Sequence, residues 1–303
     1  MTETERILQK GQFDSEFLKP ETLCDFYVDE RRKKLWLVSL DLLSEIKRVC
    51  DKHGLRYFLF FGTLLGAIRH RGFIPWDDDI DIAMPREDYE RFATLSHEFE
   101  SPYFLQSPDT DNGYFYSLNK LRNSRTTALP LMFQYETFNQ GICVDIFPID
   151  DYRQDGLEMK FEKVKELVMD LSTYMRMRNP ELDEANRKRV ASFSGRDPFD
   201  TLQMIREICL ADAGKACDLT GWISGNVYGP QRQSFTKGLF DTLSFVDFYG
   251  MEVPIPSNYD AVLKTLYGDY MALPPMDKRG VWHSGAIFDA DKPYTDYLKH
   301  PSR

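Results

Sequence analysis

The sequence contains no long apolar run. Its 303 residues include no stretch near the roughly 20 consecutive apolar residues that a membrane-spanning helix needs. The N-terminal residues also lack the charged and then apolar layout of a secretory signal peptide. We therefore predict a protein without an integral membrane segment, placed in the cytoplasm or peripherally at the inner face of the membrane.

Cysteine is scarce and widely spaced. The cysteines form no C-x-x-C pair and their number, five, is odd: Cys24, Cys50, Cys143, Cys209 and Cys217. This pattern favours reduced thiols over a disulfide framework or a zinc site. A single cysteine nucleophile stays open as an alternative.

Positive charge is also in short supply. The 38 Lys+Arg are outnumbered by 48 Asp+Glu, which gives a net charge of −10 and a pI near 5.1. Such a chain repels phosphate polyanions at long range, which argues against a nucleic-acid partner. Hydrophobic residues make up 42% of the sequence and charged residues 28%. This composition is typical of a folded soluble protein rather than a disordered one.

Hydrophobic periodicity gives a first set of secondary-structure predictions. Apolar residues recur every three or four positions over 31–53, which predicts an amphipathic helix. Polar and apolar residues alternate over 79–84, which predicts a strand with Asp79 and Asp81 on one face. Further strands are predicted at 56–61, 103–106, 114–122 and 142–149, and a hairpin at 238–255. Further helices are predicted at 64–70, 85–99, 157–177, 181–190, 198–218 and 259–266.

The order of these elements predicts an α+β fold, with a mixed sheet, flanking helices and a mainly helical C-terminal subdomain. Strands and helices mix in the first half of the chain, whereas helices dominate after residue 155. The predicted parts are an N-terminal extension at 1–30, a catalytic core at 31–154, a helical subdomain at 155–234 and C-terminal elements at 235–303 that pack back on the core.

Four carboxylates lie within five positions, at Asp77, Asp78, Asp79 and Asp81. Like charges this close repel one another unless a cation is bound among them. A solvated acidic turn is the simplest interpretation. The run is embedded among apolar residues in a strand-like setting, however, where an unpaired acidic face is costly. We therefore favour a cation site.

A calcium loop is a second interpretation of the same run, because Asp77, Asp79 and Asp81 occupy positions 1, 3 and 5 of the EF-hand spacing. It fails at position 6, where Ile82 replaces glycine, and at position 12, where Asp88 replaces glutamate. Oxygen ligands on a strand suit Mg²⁺ or Mn²⁺ better. Two such ions can stabilise both oxygens of a phosphoryl displacement.

A third acidic side chain is expected from a neighbouring strand. Asp145 is the candidate, because it is a lone acid within an apolar strand. Asp150 and Asp151 are expected in a turn after that strand. Upstream, Gly62 and Thr63 mark a strand-to-helix junction, where close backbone approach and a helix capped by Thr63 can bind an anion. Together these residues predict a nucleotidyltransferase-type active site.

The segment 62–84, GTLLGAIRHRGFIPWDDDIDIAM, resembles the signature of the LicD family. That family includes bacterial phosphocholine transferases and is related to fukutin and fukutin-related protein. The resemblance extends from about residue 34 to 283, but 155–233 match no motif of the family. Outside the signature it is sparser and rests on 118–123, Thr126, 144–148, 267–271, 273–275 and His283.

The resemblance implies a nucleotidyltransferase fold for the core. It also implies transfer of a substituted phosphate, either phosphocholine or a polyol phosphate, from a CDP-activated donor to a glycan hydroxyl, with release of CMP. The candidate donors are CDP-choline, CDP-ribitol and CDP-glycerol. The candidate acceptors are a cell-surface glycan such as teichoic acid, its precursor or a lipid-linked glycan.

The resemblance also implies roles for the acidic residues. Asp79 and Asp81 would hold Mg²⁺ or Mn²⁺, with Asp77 nearby and Asp145 completing the set. Asp145 is in addition the candidate base for the acceptor hydroxyl.

Basic side chains must meet the diphosphate of such a donor. Arg69 and Arg71 beside the acidic cluster are candidates, as are Lys120 and Arg122 on one strand face, because arginine can grip phosphate bidentately. Ion pairing at the surface is the alternative for each. His283 is a further candidate for contact with phosphate or acceptor, against a purely structural role.

Two other functions stay open at the level of sequence. A sugar-nucleotide-dependent glycosyltransferase also binds a metal and diphosphate through a D-x-D motif, but its product bond is glycosidic. A degenerate relative would bind nucleotide or cation as a sensor without turnover. The intact Asp79, Asp81 and Asp145 argue against that reading.

Overall fold

The computed structural model describes residues 1–193, 195–225, 228–280 and 285–299. Nine α-helices lie in these ranges: α1 Glu3–Leu8, α2 Glu30–His53, α3 Phe61–Arg69, α4 Arg86–Ala93, α5 Leu157–Tyr174, α6 Glu184–Ala191, α7 Pro198–Leu210, α8 Pro230–Gln233 and α9 Tyr259–Tyr267. The same ranges contain thirteen strands: β1 Glu21–Leu23, β2 Phe26–Val28, β3 Phe58–Leu59, β4 Ile80–Pro85, β5 Tyr103–Gln106, β6 Asn119–Asn123, β7 Thr127–Pro130, β8 Ile142–Tyr152, β9 Leu219–Gly221, β10 Ser234–Thr236, β11 Leu243–Phe248, β12 Met251–Pro256 and β13 Ala286–Asp289.

The largest sheet has seven strands of mixed direction. Its main path runs β10-β9-β8-β4-β3, while β6 pairs with β8 and also with β5. β4 and β8 are parallel, and the other pairs of this sheet are antiparallel. The predicted α+β fold with a mixed sheet and flanking helices is confirmed.

The 24-residue helix α2 packs against β8 and β6. Asp29 caps its N-terminus by accepting the Arg32 amide at 2.8 Å. Gly54 ends it in the left-handed conformation, at φ 62°. The apolar stripe expected for this helix is buried, so the helix predicted over 31–53 is confirmed.

Two groups of buried apolar side chains form the interior. The larger group joins α2, α3 and α9 to the central sheet and to the β11–β12 hairpin. The smaller group joins α5 and α7 to aromatic residues that precede them in the chain: Tyr114, Phe115, Phe133, Phe138 and Tyr152. The helical region therefore shares its core with residues before it, and the domain boundaries given above stay a prediction. Among the described residues, no helix combines the length and apolarity needed to cross a bilayer.

Several predicted elements have different bounds. The helix expected over 198–218 ends at Leu210, and the strand expected over 56–61 is confined to Phe58–Leu59. The helix expected over 85–99 ends at Ala93, and a separate turn of 3₁₀-helix follows at Ser96–Glu98. The Thr94 hydroxyl donates to the Arg91 carbonyl at 2.8 Å, which satisfies one of the last carbonyl groups of α4. The strand expected over 114–122 begins only at β6, because the preceding aromatic residues pack in the smaller core.

The placement of Asp150 and Asp151 in a turn is wrong, because both lie within β8. β8 continues past Pro148, which occupies a stretch between the β6 and β9 pairings, where no ladder forms on that side. Asp150 is buried and accepts two hydrogen bonds from Arg86, both at 2.7 Å. This ion pair ties α4 to the sheet.

Candidate active site

The acidic side chains meet where β4 and β8 lie side by side. Asp81 and Asp145 are direct partners in this parallel pair, and Asp79 immediately precedes β4. Side chains alternate along a strand, so residues 79 and 81 share a face. Asp77, Asp79, Asp81 and Asp145 all line one cavity of about 780 Å³, which we call the donor cavity. The structure thus brings the four predicted metal-site carboxylates to one place.

The turn before β4 gathers three consecutive carboxylates. Asp77, Asp78 and Asp79 each offer an oxygen within 4.8 Å of the others. Arg32 of α2 donates to the Asp77 carbonyl at 2.7 Å, which ties this turn to the helix. On the other side, a Cβ on Gly62 would lie 2.7 Å from Asp77 Oδ2. The missing side chain at Gly62 therefore makes room for the Asp77 carboxylate.

Thr63 has a different structural role from the predicted helix cap. Phe60 occupies the N-cap position of α3, without a side-chain cap, and Thr63 lies within the first turn. Its hydroxyl accepts the Asp81 amide hydrogen bond at 2.8 Å. Thr63 therefore fixes the start of β4 beside α3, while its predicted contact with substrate stays a prediction.

Asp81 lies in surroundings that disfavour its charge. Desolvation raises the pKa of Asp81 well above its usual value, the Asp79, Asp145 and Asp77 carboxylates raise it further, and Lys120 alone among the main contributors lowers it. Such a carboxylate is relieved by a proton or by a bound cation. Its neighbours supply only carboxylate oxygens, which suit a hard divalent cation. These side chains therefore fit Mg²⁺ or Mn²⁺, which they would hold together.

Asp145 differs from Asp81 because it has a cation beside it. Lys120 Nζ lies 2.7 Å and 2.8 Å from the two carboxylate oxygens of Asp145, and Cys143 Sγ lies 3.4 Å from Oδ1. Burial raises the pKa of Asp145, but Lys120 outweighs this effect, and the resulting pKa is below the usual value. Lys120 thus holds Asp145 ionised and fixes its orientation.

The arginines predicted to bind phosphate lie in different surroundings. Arg69 lines the donor cavity, and its Nη1 donates to the carbonyls of Tyr270 and Ala272 at 2.7 and 3.2 Å. Arg122 is buried and donates to Gln106 Oε1 and to the Gly141 carbonyl, so its guanidinium braces the sheet.

Arg71 and His283 lie elsewhere. Arg71 is exposed, at φ 55°, and does not border the donor cavity. His283 lies outside the described residues. The substrate-binding roles of all the basic residues therefore stay predictions.

Aromatic side chains form much of the wall of the donor cavity. Phe61 packs edge-on against Phe147 and Trp222, at centroid distances of 5.1 and 5.6 Å. Lys278 adds a cation at the same wall. Sequence reasoning missed most of this wall, because nothing in the local pattern relates residues after 220 to the acidic motif. The aromatic residues of the wall are Phe61, Trp76, Phe147, Trp222, Tyr228, Tyr267 and Tyr270.

A mixed sheet that presents carboxylates from two neighbouring strands to one cavity is the arrangement expected of a nucleotidyltransferase-type phosphotransferase. Comparison with known proteins supports this class. Residues 54–178 match the family described as LicD/FKTN/FKRP, nucleotidyltransferase domain. The resemblance to this family seen in the acidic motif is thus confirmed.

Individual relatives agree with this assignment. The chain is 27% identical over 259 residues to the lipopolysaccharide cholinephosphotransferase LicD of Haemophilus influenzae, covering 82% of this chain and 94% of that protein. It is 31% identical over 134 residues to an uncharacterised protein of Rickettsia prowazekii, and this alignment covers 43% of this chain and 47% of that protein. It is 50% identical over 40 residues to the human ribitol 5-phosphate transferase FKRP, and this alignment covers 13% of this chain and 8% of that protein. The predicted enzyme class, a phosphotransferase, is confirmed.

Proposed function

We propose that the protein transfers a substituted phosphate from a CDP-activated donor to a hydroxyl of a cell-surface glycan or its precursor, and releases CMP. Phosphocholine is the first candidate for the transferred group. The relative named as a cholinephosphotransferase aligns over 94% of its length, whereas the ribitol 5-phosphate transferase aligns over 8%. A polyol phosphate is the second candidate.

The observation that carries this proposal is the group of Asp77, Asp79, Asp81 and Asp145 at one cavity, where the pKa of Asp81 is raised. Four anions cannot by themselves bind an anionic diphosphate. A divalent cation bound there would neutralise negative charge on the diphosphate as the transferred phosphate leaves CMP. Asp77, Asp79, Asp81 and Asp145 would hold it.

The residues of the chain supply position and charge in this scheme. The acceptor oxygen forms a bond to the transferred phosphorus while its hydroxyl proton passes to solvent water, and the bond from that phosphorus to the bridging oxygen breaks, so that CMP leaves with the electron pair. Arg69 and Lys278 border the donor cavity and supply positive charge for the diphosphate. The ion pair with Lys120 makes Asp145 a weaker proton acceptor, so we assign Asp145 to cation binding rather than to the role of base.

A donor screen tests the proposal. The protein is incubated with Mg²⁺, a deproteinised glycan fraction from the cell envelope, and CDP-choline, CDP-ribitol or CDP-glycerol in turn. We expect CMP release with one donor, fastest with CDP-choline, and a new phosphodiester signal in the phosphorus NMR spectrum of the glycan. Absence of CMP with all three donors contradicts the proposal, and a glycosidic product from a sugar nucleotide would support the glycosyltransferase instead.

A further inference from the structure

We propose that the acceptor glycan reaches the carboxylates through a second pair of cavities, on the side of Asp145 away from the donor cavity. This inference rests on the proposed function and assigns a path to its acceptor. The first of the pair, the inner chamber, measures about 270 Å³ and is lined by Asp79, Asp145, Lys120, Tyr116 and Phe133 among others. The second, the outer cleft, measures about 1040 Å³.

The donor cavity and the inner chamber lie side by side on one face of the sheet. β8 lies between β4 and β6, and Asp145 is in register with Asp81 on one side and with Lys120 on the other. Asp81 lines the donor cavity but not the chamber, and Lys120 lines the chamber but not the donor cavity. Asp79 and Asp145 line both. The two spaces therefore flank these two carboxylates, the donor cavity towards β4 and the inner chamber towards β6.

The inner chamber continues into the outer cleft. The two share five lining residues, from α2, the acidic turn, β8 and β13: Leu35, Asp78, Ile142, Ala286 and Phe288. The two spaces are therefore adjacent at these residues, and we place the acceptor path across this junction to Asp79 and Asp145. The donor cavity shares none of the five.

The geometry of phosphoryl transfer explains why donor and acceptor would need separate cavities. The attacking and leaving oxygens lie roughly in line on opposite faces of the phosphorus. In the proposed function, Arg69 and Lys278 supply positive charge to the diphosphate from the donor cavity, so CMP would leave on that side. A phosphorus held at Asp79 and Asp145 then presents its other face to the inner chamber, so the acceptor hydroxyl arrives from there.

The outer cleft has the chemistry of a carbohydrate site. Tyr27, on the strand β2, is 65% exposed at its edge, and tyrosine rings offer a flat apolar face with a polar tip. Lys34 pairs with Glu30 at 3.2 Å and with Asp291 at 3.4 Å. The wall thus carries charges of both signs, with five carboxylates against three basic side chains. Such a wall offers donors and acceptors to hydroxyl groups without selecting an anion, which fits a neutral or zwitterionic glycan chain.

A blocking substitution tests the path. Ala286 borders both the outer cleft and the inner chamber, so Ala286→Trp places an indole across their junction. Ala185→Trp, on the exposed surface of α6, is the matched control. Label transfer from CDP-[¹⁴C]choline to the envelope glycan fraction is measured with Mg²⁺, and CDP-choline binding is measured by calorimetry.

We expect Ala286→Trp to bind CDP-choline within about twofold of the wild type while glycan labelling falls at least tenfold. The control should match the wild type in both measurements. Labelling at the wild-type rate overturns the inference, and so does an equal loss of CDP-choline binding, because the chamber would then belong to the donor.

A second variant covers the case in which Ala286→Trp does not fold. Tyr27→Ala removes an exposed ring at the edge of the cleft, and we expect it to raise the KM for the glycan fraction at least threefold with an unchanged KM for CDP-choline. Tyr27→Phe keeps the ring and should retain most of the affinity. An unchanged KM for glycan in Tyr27→Ala contradicts the inference. If the wild-type protein itself labels no glycan, the proposed function fails, which is a distinct result.

Discussion

At the scale of single residues, two carboxylates in direct register have opposite pKa shifts. Asp81 and Asp145 are neighbours on parallel strands, yet the pKa of Asp81 is raised and that of Asp145 is lowered. The cause is Lys120, whose ammonium contacts both oxygens of Asp145. Asp145 therefore has a cation of the chain beside it, whereas Asp81 depends on a cation from solution to balance its charge.

Asp81→Asn should therefore separate activity from stability. We expect loss of CMP release of at least 100-fold, because one of the cation-binding carboxylates is gone. In EDTA, the free energy of unfolding should rise by about 1 kcal/mol, because the neutral amide removes repulsion from Asp79 and Asp145. Urea denaturation at pH 7.5 measures the stability, and chromatography of CMP measures the activity.

The matched control for this substitution is Asp241→Asn. Asp241 is exposed and does not line the donor cavity. It should change neither quantity beyond about 0.5 kcal/mol or twofold in rate. Full activity of Asp81→Asn would remove Asp81 from the site, and a fall in stability would contradict the charge argument.

His70 makes the protein sensitive to acid. Burial, together with the Arg69 and Arg279 cations, lowers the pKa of His70 from 6.5 to about 4. The unfolded chain takes up this proton below about pH 6.5 and the folded chain only below about pH 4. The free energy of unfolding should therefore fall as the pH is lowered through this window.

We expect this loss to be about 1 kcal/mol, since the ring is only half-buried and solvent screens part of the shift. His70→Gln should flatten the pH dependence between pH 6.5 and 4. Urea denaturation of both proteins at pH 7 and pH 5 checks this expectation. Equal slopes in the two proteins would show that other groups cause the acid sensitivity.

At the scale of elements, the sequence predicts features that depend on residues close together in the chain, such as the alternation of side chains along a strand. The alternation over 79–84 places Asp79 and Asp81 on one face, and β4 agrees with it. The lone acid in an apolar strand singles out Asp145. The register between Asp81 and Asp145 is not predictable from a single sequence, because it joins segments far apart in the chain.

Lys120 and Arg122 illustrate the same limit. Their spacing predicts a shared strand face, but not which partner each finds. Lys120 meets Asp145 across the β6–β8 pair, whereas Arg122 meets Gln106 of β5 and a backbone carbonyl. Both partners come from other strands, so the order of strands in the sheet determines these contacts. It pairs Lys120 with a carboxylate of the site, whereas Arg122 braces the sheet.

The ion pair between α4 and β8 gives a prediction at this scale. Asp150→Asn leaves the Arg86 guanidinium without its bidentate partner in a buried position, although Glu90 still contacts Arg86 at 3.1 Å. We expect a loss of about 3 kcal/mol in the free energy of unfolding. The adjacent Asp151→Asn removes an exposed ion pair with Lys237 and should cost less than about 1 kcal/mol.

Urea denaturation of the two variants gives the comparison. They differ by one position on the same strand, so the same change in side-chain chemistry is tested in buried and exposed settings. Similar losses in both would show that the contact between Arg86 and Asp150 does not hold α4 to the sheet.

At the scale of the whole molecule, the helical region and the sheet share interior packing. Phe161 and Leu167 of α5 are buried in the same group as Tyr114 and Tyr152, which belong to the core part of the chain. Removal of the helices would expose these aromatic rings. The helix α5, which lies within the family match over 54–178, therefore supports the loop before β6, which leads to Lys120 and the inner chamber.

Part of the net charge of −10 is concentrated at one site, so a cation bound there should change the stability of the whole molecule. Four of its carboxylates surround the donor cavity, and a cation that binds only the folded chain stabilises it by mass action. At a concentration 100 times its dissociation constant the gain is about 2.7 kcal/mol, or roughly 5 °C in melting temperature for a chain of this size.

We expect Mg²⁺ to raise the melting temperature of the wild type by this amount relative to EDTA, in the absence of any nucleotide. NaCl at matched ionic strength should raise it much less, because exposed charges are only screened whereas the clustered carboxylates are bridged. Asp81→Asn should lose most of the Mg²⁺ shift, since it keeps the other three acids but not the one with the raised pKa. Equal shifts in Mg²⁺ and NaCl, or in wild type and Asp81→Asn, would mean that the ion acts on the general acidity of the surface and not at this cavity.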